Sequence, residues 1–158
     1  MENQSQDFFN INPDVPEKES LEDRFFRERQ EWKNKVKEMS LSLKKVFDLT
    51  NLLAEIYTER QKASEYYHYL LSLLVGLNKK YRNKYDERWA HYTLNSKVRY
   101  PNESTKSNRI LVDLEDLVEK RELLNVHAKS MESTVKTIDN MIYGIQARIK
   151  IEDINRGK

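Results

Sequence analysis

The sequence predicts an all-α protein, with long helices forming an antiparallel coiled-coil hairpin that self-associates through its C-terminal helix. Three observations predict it. The 158 residues include only three Gly and three Pro while 34% are charged, a balance that regular helix accommodates with few turns. Only 38% are hydrophobic, low for a compact globule of this length, which favours a thin helical assembly. From Ile110 to Ile149, seam residues recur at alternating steps of four and three without a slip, the period of a helix packed along one stripe.

Residues 1–19 read as a flexible arm, polar and punctuated by Pro13 and Pro16. Within it, Asp7-Phe8-Phe9 and Ile11 stand out. They suit either a docking motif that orders on a partner or a short staple onto the bundle. The opening residues lack the basic and apolar regions of a secretory leader, so the expected location is cytoplasmic. The longest nearly apolar run, Tyr69 to Leu77, is far short of the roughly 20 residues of a membrane helix, so no membrane partner is expected.

Residues 20–93 form the long helical segment. Ser20 with Asp23 makes a capping box, and Leu21, Phe25, Trp32, Val36, Met39, Leu43 and Val46 come after it at helical spacing. A break is expected at Asp48 to Asn51, with Thr50 or Asn51 capping a new helix. The stripe resumes in phase as Leu49, Leu53, Ile56, Ala63, Tyr67, Leu70, Leu74 and Leu77, which allows one bent helix or two stacked ones. It then turns aromatic at Tyr81, Tyr85, Trp89 and Tyr92, with Lys80, Lys84, Arg88 and His91 beside the rings. Aromatics interleaved with cations suit a single-stranded nucleic acid, whose bases stack while Lys and Arg meet the phosphates. The same rings also suit the wet end of a packing seam, and the residues alone leave both possibilities open.

Residues 94–108, polar and carrying Pro101, read as a basic loop with Lys97, Arg99 and Lys106. Residues 109–153 read as a C-terminal coiled-coil oligomerisation helix. Eleven of its twelve seam positions are apolar, over about 59 Å at roughly 1.5 Å per residue. Arg121 is the exception, fixing register or snorkelling outward. So long a stripe is expected to exceed what its own chain can cover, so it should meet further copies through Leu124, Met131, Val135, Ile138, Ile142, Ile145 and Ile149. Isoleucine on both seam positions near the C-terminus favours three or more strands, with antiparallel hairpins in a ring as the alternative.

Net charge is +2, but its distribution is uneven. From Leu77 to Arg109 nine basic residues stand against Asp86, Glu87 and Glu103, and an anionic partner would dock there. The expected nucleic-acid contacts are Lys80, Lys84, Arg88, Trp89, Tyr92, Lys97 and Arg99.

Catalytic patterns are missing from the sequence. It contains no Cys, which excludes disulfides, thiolate zinc sites and a cysteine nucleophile. His68, His91 and His127 form no metal-ligand spacing, and Gly76, Gly144 and Gly157 are isolated, so neither G-x-x-x-x-G-K-[ST] nor G-x-G-x-x-G phosphate cradles occur. The carboxylates Glu115, Asp116, Glu119 and Glu122 fall on an outer helix face without a pocket to tune them. Asn102-Glu103-Ser104 matches a glycosylation sequon, read as a chance match where no secretory leader is expected. Neither an enzyme nor a cofactor is expected.

Between Ser64 and the C-terminus the chain resembles the UvsY-type recombination mediators of tailed bacteriophages. The likeness rests on Ser64-Glu65-Tyr66-Tyr67-His68-Tyr69-Leu70, on Lys84 to Lys97 with Arg88-Trp89-Ala90-His91-Tyr92-Thr93, and on the heptad helix Leu114 to Ile149 with its finish Asn155-Arg156-Gly157-Lys158. Two features depart from that family: Thr93-Leu94 stand where a Gly usually succeeds the tyrosines, and the N-terminal arm has no counterpart. The resemblance implies a ring-like homo-oligomer that binds single-stranded DNA, displaces the single-strand-binding protein and helps load a RecA-like recombinase. It also implies that Lys84, Arg88, Trp89 and Tyr92 contact DNA.

Overall fold

The computed structural model describes residues 19–43, 48–94, 100 and 102–157. They are all-helical, with no strand: α1 (Leu21–Ser42), α2 (Leu49–Leu94), α3 (Glu103–Asp113) and α4 (Glu115–Asn155). The arm with Phe8 and Phe9, Val46, and the basic residues Lys97 and Arg99 lie outside the described residues.

Side-chain caps set the helix starts. Ser20 Oγ accepts from the Asp23 amide at 3.0 Å and donates to its carboxylate at 2.7 Å, satisfying amides that the first turn leaves unpaired. At α2 the cap is Asp48, whose Oδ1 accepts from the amides of Thr50 and Asn51 at 3.1 and 3.0 Å. The expected caps Thr50 and Asn51 are therefore the capped residues, because a carboxylate placed just before the helix reaches both donors. Asn102, the sequon residue, caps α3 by accepting from Thr105 at 2.8 Å. Gly157, with φ 73°, ends α4 in the left-handed conformation that glycine adopts without a Cβ penalty.

The core is a seven-residue rhythm on two helices. On α2 the buried positions include Leu49, Ile56, Ala63, Leu70 and Leu77, and on α4 they include Leu124, Met131, Ile138 and Ile145. Arg60 pairs with Asp139 at 2.9 Å and Gln146 donates to Tyr57 at 3.0 Å, so rising numbers on α2 meet falling numbers on α4. That register brings Ile56, Ala63, Leu70 and Leu77 level with Ile145, Ile138, Met131 and Leu124. Leu52 is buried and Leu53 only partly so, a one-residue shift from the expected stripe.

α1 is neither a bend in α2 nor stacked on its end. It runs back along the other two helices: Lys35 pairs with Glu59 at 3.3 Å, Phe25 stacks on His127 at 4.3 Å between ring centroids, and Arg148 donates to the Leu43 carbonyl at 3.0 Å. Trp32, Val36 and Met39 pack on the same core as the α4 stripe. This return overturns the premise that the chain is too short to shelter its own seam. Leu124, Met131, Ile138, Ile142 and Ile145 are each at most 5% exposed in one protomer, and Val135 and Ile149 are partly covered.

The C-terminal helix also differs from its expected span. The segment expected as loop through residue 108 is helical from Glu103, and a bend at Leu114 (φ −111°, ψ 15°) separates α3 from α4. Hydrogen bonding continues through the bend, since the Leu114 amide donates to Ile110 and its carbonyl accepts from Val118, both at 3.0 Å. A one-residue bend that leaves Leu114 buried does not disturb apolar spacing, so the stripe passed through it unmarked.

Candidate nucleic-acid interface

Three strips of side chains emerge from the C-terminal half of α2, each fixed by a different neighbour. The middle strip is the aromatic row. Tyr81, Tyr85 and Trp89 succeed one another at 6.1 Å between ring centroids, the separation of residues one helical turn apart. The row is half-buried and engaged. Tyr85 and Ser107 share a hydroxyl–hydroxyl bond of 2.6 Å, Lys106 sits 4.2 Å over the Trp89 ring and donates to Thr93 at 3.0 Å, and Tyr92 donates to Asp113. Trp89 and Tyr92 thus hold α3 against α2. Lys106, expected on a loop, lies on α3 and is committed to the indole face.

The first flank carries the expected phosphate contacts. Lys80, Lys84 and Arg88 are exposed and line a groove with His91, opposite Asp113, Leu114, Asp116 and Leu117 on the α3–α4 junction. Their field is partly cancelled: Lys84 pairs with Glu87 at 2.7 Å, and Glu87, Asp113 and Asp116 all border the same groove. Lys79, Lys80 and Arg88 make no ion pair among the described residues. Arg109, farther along, pairs with Asp113 at 3.3 Å, and the hydrogen bond to Tyr92 raises its already high pKa further.

The second flank is one that the spacing of residues did not single out. Arg121, the single charged residue on the α4 seam, lies with its guanidinium 4.3 Å from the Tyr81 ring centroid, a favourable placement for a cation over an aromatic face. It lines a second groove with Asn78, Tyr81 and Arg82 of α2, and Ser107 and Leu111 of α3. The polar stripe break at position 121 was the available signal; which groove it opened onto depended on α3, whose first six residues lay within the expected loop.

Elsewhere, the described residues hold no group of His, Asp or Glu suited to a metal ion, and no helix long and apolar enough to cross a membrane. The seven seam residues expected to join copies are in the intramolecular core. A separate apolar stripe stays exposed on the last turns of α4, where Tyr143, Ile151 and Ile154 are 68%, 57% and 73% exposed. Compared with protein-family models, curated proteins and solved structures, the chain matches none.

Proposed function

We propose that this chain is a non-enzymatic protein that binds single-stranded DNA and serves as a recombination mediator, helping a RecA-like recombinase replace a single-strand-binding protein in the host cytoplasm of a bacteriophage infection. The observation that carries the DNA-binding part is the set of exposed cations Lys79, Lys80, Arg82 and Arg88 on one half-helix, unpaired among the described residues. Exposed cations that make no ion pair attract a polyanion by releasing its counterions. The mediator role rests on the sequence resemblance. In this reading α2 and α4 form an antiparallel coiled-coil hairpin with α1 as a third helix, and copies associate through the exposed stripe of Tyr143, Ile151 and Ile154. Association would multiply a weak patch into useful affinity.

The test is a fluorescence titration of short oligo-dT with the purified chain at several salt concentrations. Binding should weaken steeply as salt rises, and Lys84→Ala with Arg88→Ala should lower both affinity and slope. Absence of binding at low salt rejects the proposal. That result would favour a structural scaffold contacting only protein, a reading supported by the same exposed stripe on α4.

A further inference from the structure

We propose that the groove between α2 and α3, closed at one end by Arg121 of α4, is a phosphate-binding subsite that seats one nucleotide of a single strand. The proposal deepens the nucleic-acid reading and rests on it for the source of the phosphate; the groove's preference for a phosphate group rests on its own chemistry.

Three observations point to the groove. Its lining includes two guanidiniums, Arg82 and Arg121, and no carboxylate, whereas the groove on the opposite flank faces its cations with Glu87, Asp113 and Asp116. Two cations brought together without a counter-charge are poised for an anion. Neither Arg82 nor Arg121 makes an ion pair among the described residues. Finally, Arg121 occupies a position whose counterparts one heptad before and after, Leu114 at the bend and Ala128 on α4, are buried apolar residues. A leucine there would extend the core; the arginine instead sets its guanidinium over the Tyr81 ring and lines the groove.

The donor set favours phosphate over carboxylate. Two guanidinium forks from different helices, with the Asn78 amide beside them, offer donors around a tetrahedral group, and arginine matches phosphate oxygens in pairs. Leu111, 42% exposed on α3, adds an apolar wall for an unpaired base, close to the Arg121 guanidinium over the Tyr81 ring. The ligand is therefore a nucleotide unit, its phosphate between Arg82 and Arg121 and its base against the apolar side. Ser107 and Tyr85 hydrogen-bond each other and fix the groove's far wall.

The experiment monitors the arginine side-chain Nε–Hε NMR signals of the full chain during titration with inorganic phosphate, then thymidine monophosphate, then a ten-nucleotide oligo-dT. Arg82 and Arg121 signals should move with all three, at successively lower concentrations. The double variant Arg82→Gln/Arg121→Gln, with unchanged circular dichroism, should bind oligo-dT about tenfold more weakly at low salt. Its log–log salt slope should fall by about 0.7, the loss of the one phosphate that the two arginines share. Should that variant lose its fold, Arg121→Lys keeps the charge without the fork and should weaken binding about threefold.

If these variants bind oligo-dT like the parent while Lys84→Ala/Arg88→Ala weakens it, the subsite is overturned and the nucleic-acid reading stands. If the two arginine signals respond to phosphate but oligo-dT does not bind, the phosphate site stands, while its assignment to a strand and the nucleic-acid reading both fall. If neither signal moves with any titrant, the subsite is overturned.

Discussion

Glu28 on α1 and His127 on α4 meet in the core, Oε2 lying 3.0 Å from Nε2, and Tyr66 of α2 donates to the same carboxylate oxygen. One polar cluster thereby joins three helices. Arg24 completes it with a 2.9 Å contact to the other carboxylate oxygen. The His127 ring is fully buried and stacked on Phe25. Its Nε2 faces the carboxylate acceptor, and its Nδ1 is buried without a hydrogen-bond partner among the described residues.

This cluster ties part of the acid stability to Glu28. Burial pushes the Glu28 carboxyl up, but hydrogen bonds from His127, Tyr66 and Arg24 outweigh it and bring the group to about 2 from the usual 4.5. A depressed folded-state pKa contributes stability that is complete above the unfolded value and is lost as pH falls from about 4.5 toward 2. Glu28→Gln should therefore cost about 1–2 kcal/mol at neutral pH, after discounting for partial solvent access, and progressively less in acid. Urea midpoints at pH 7 and pH 2.5 check it; an equal gap between variant and parent at both would refute the role.

The same cluster also shows what the sequence hid. The apolar rhythm of α2 and α4 was legible because packing repeats every seven residues, and the capping box at Ser20 is a local bond between neighbours in the chain. The return of α1 was not, since apolar residues from Leu21 to Leu43 stay in phase with those of α2 whether the helix continues or folds back. Glu28 and His127 are 99 residues apart, and nothing in either one's surroundings marks them as partners. The basic run was legible as charge, but which cations remain unpaired depended on α3, hidden in a segment rich in polar residues.

Substitution in the seam should unfold the protomer. Ile138 and Ile145 are 0% and 1% exposed, packed with residues of α1 and α2 in a single core cluster. Ile138→Lys would place a charge there without a partner, costing more than about 4 kcal/mol. Circular dichroism should show the helical signal collapse at temperatures where the parent is intact. A well-folded variant of lower mass in sedimentation would instead mean that the seam joins copies.

Trp89 is expected to act as an anchor for α3. Removing the indole by Trp89→Ala withdraws the surface under Lys106 and loosens a helix of only 11 residues, too short to persist in water unaided. Amide hydrogen exchange across residues 103–113 should accelerate at least tenfold, while residues 124–149 of α4 keep their protection. Unchanged exchange in α3 would show that Tyr85 and Tyr92 hold it without the indole.

The exposed stripe of α4 is separable from the core, which makes self-association testable without unfolding. Ile151 and Ile154 face outward on the same helix that buries Ile142 and Ile145, so a helix end apolar on two sides has surface left for a second copy. The flanking charges suit a two-fold contact: antiparallel pairing centred between Lys150 and Ile151 sets Arg148 against Asp153 and the small Ala147 against Ile154. Ile151→Lys with Ile154→Lys should leave the melting temperature of the protomer within a few degrees of the parent while sedimentation reports the single-chain mass. The same variant should bind oligo-dT more weakly even though Arg82, Lys84 and Arg88 are untouched, because linked patches on one strand lose their multivalent gain. A parent already monomeric at micromolar concentration would remove the self-association proposal, leaving each protomer to bind with its own cations alone.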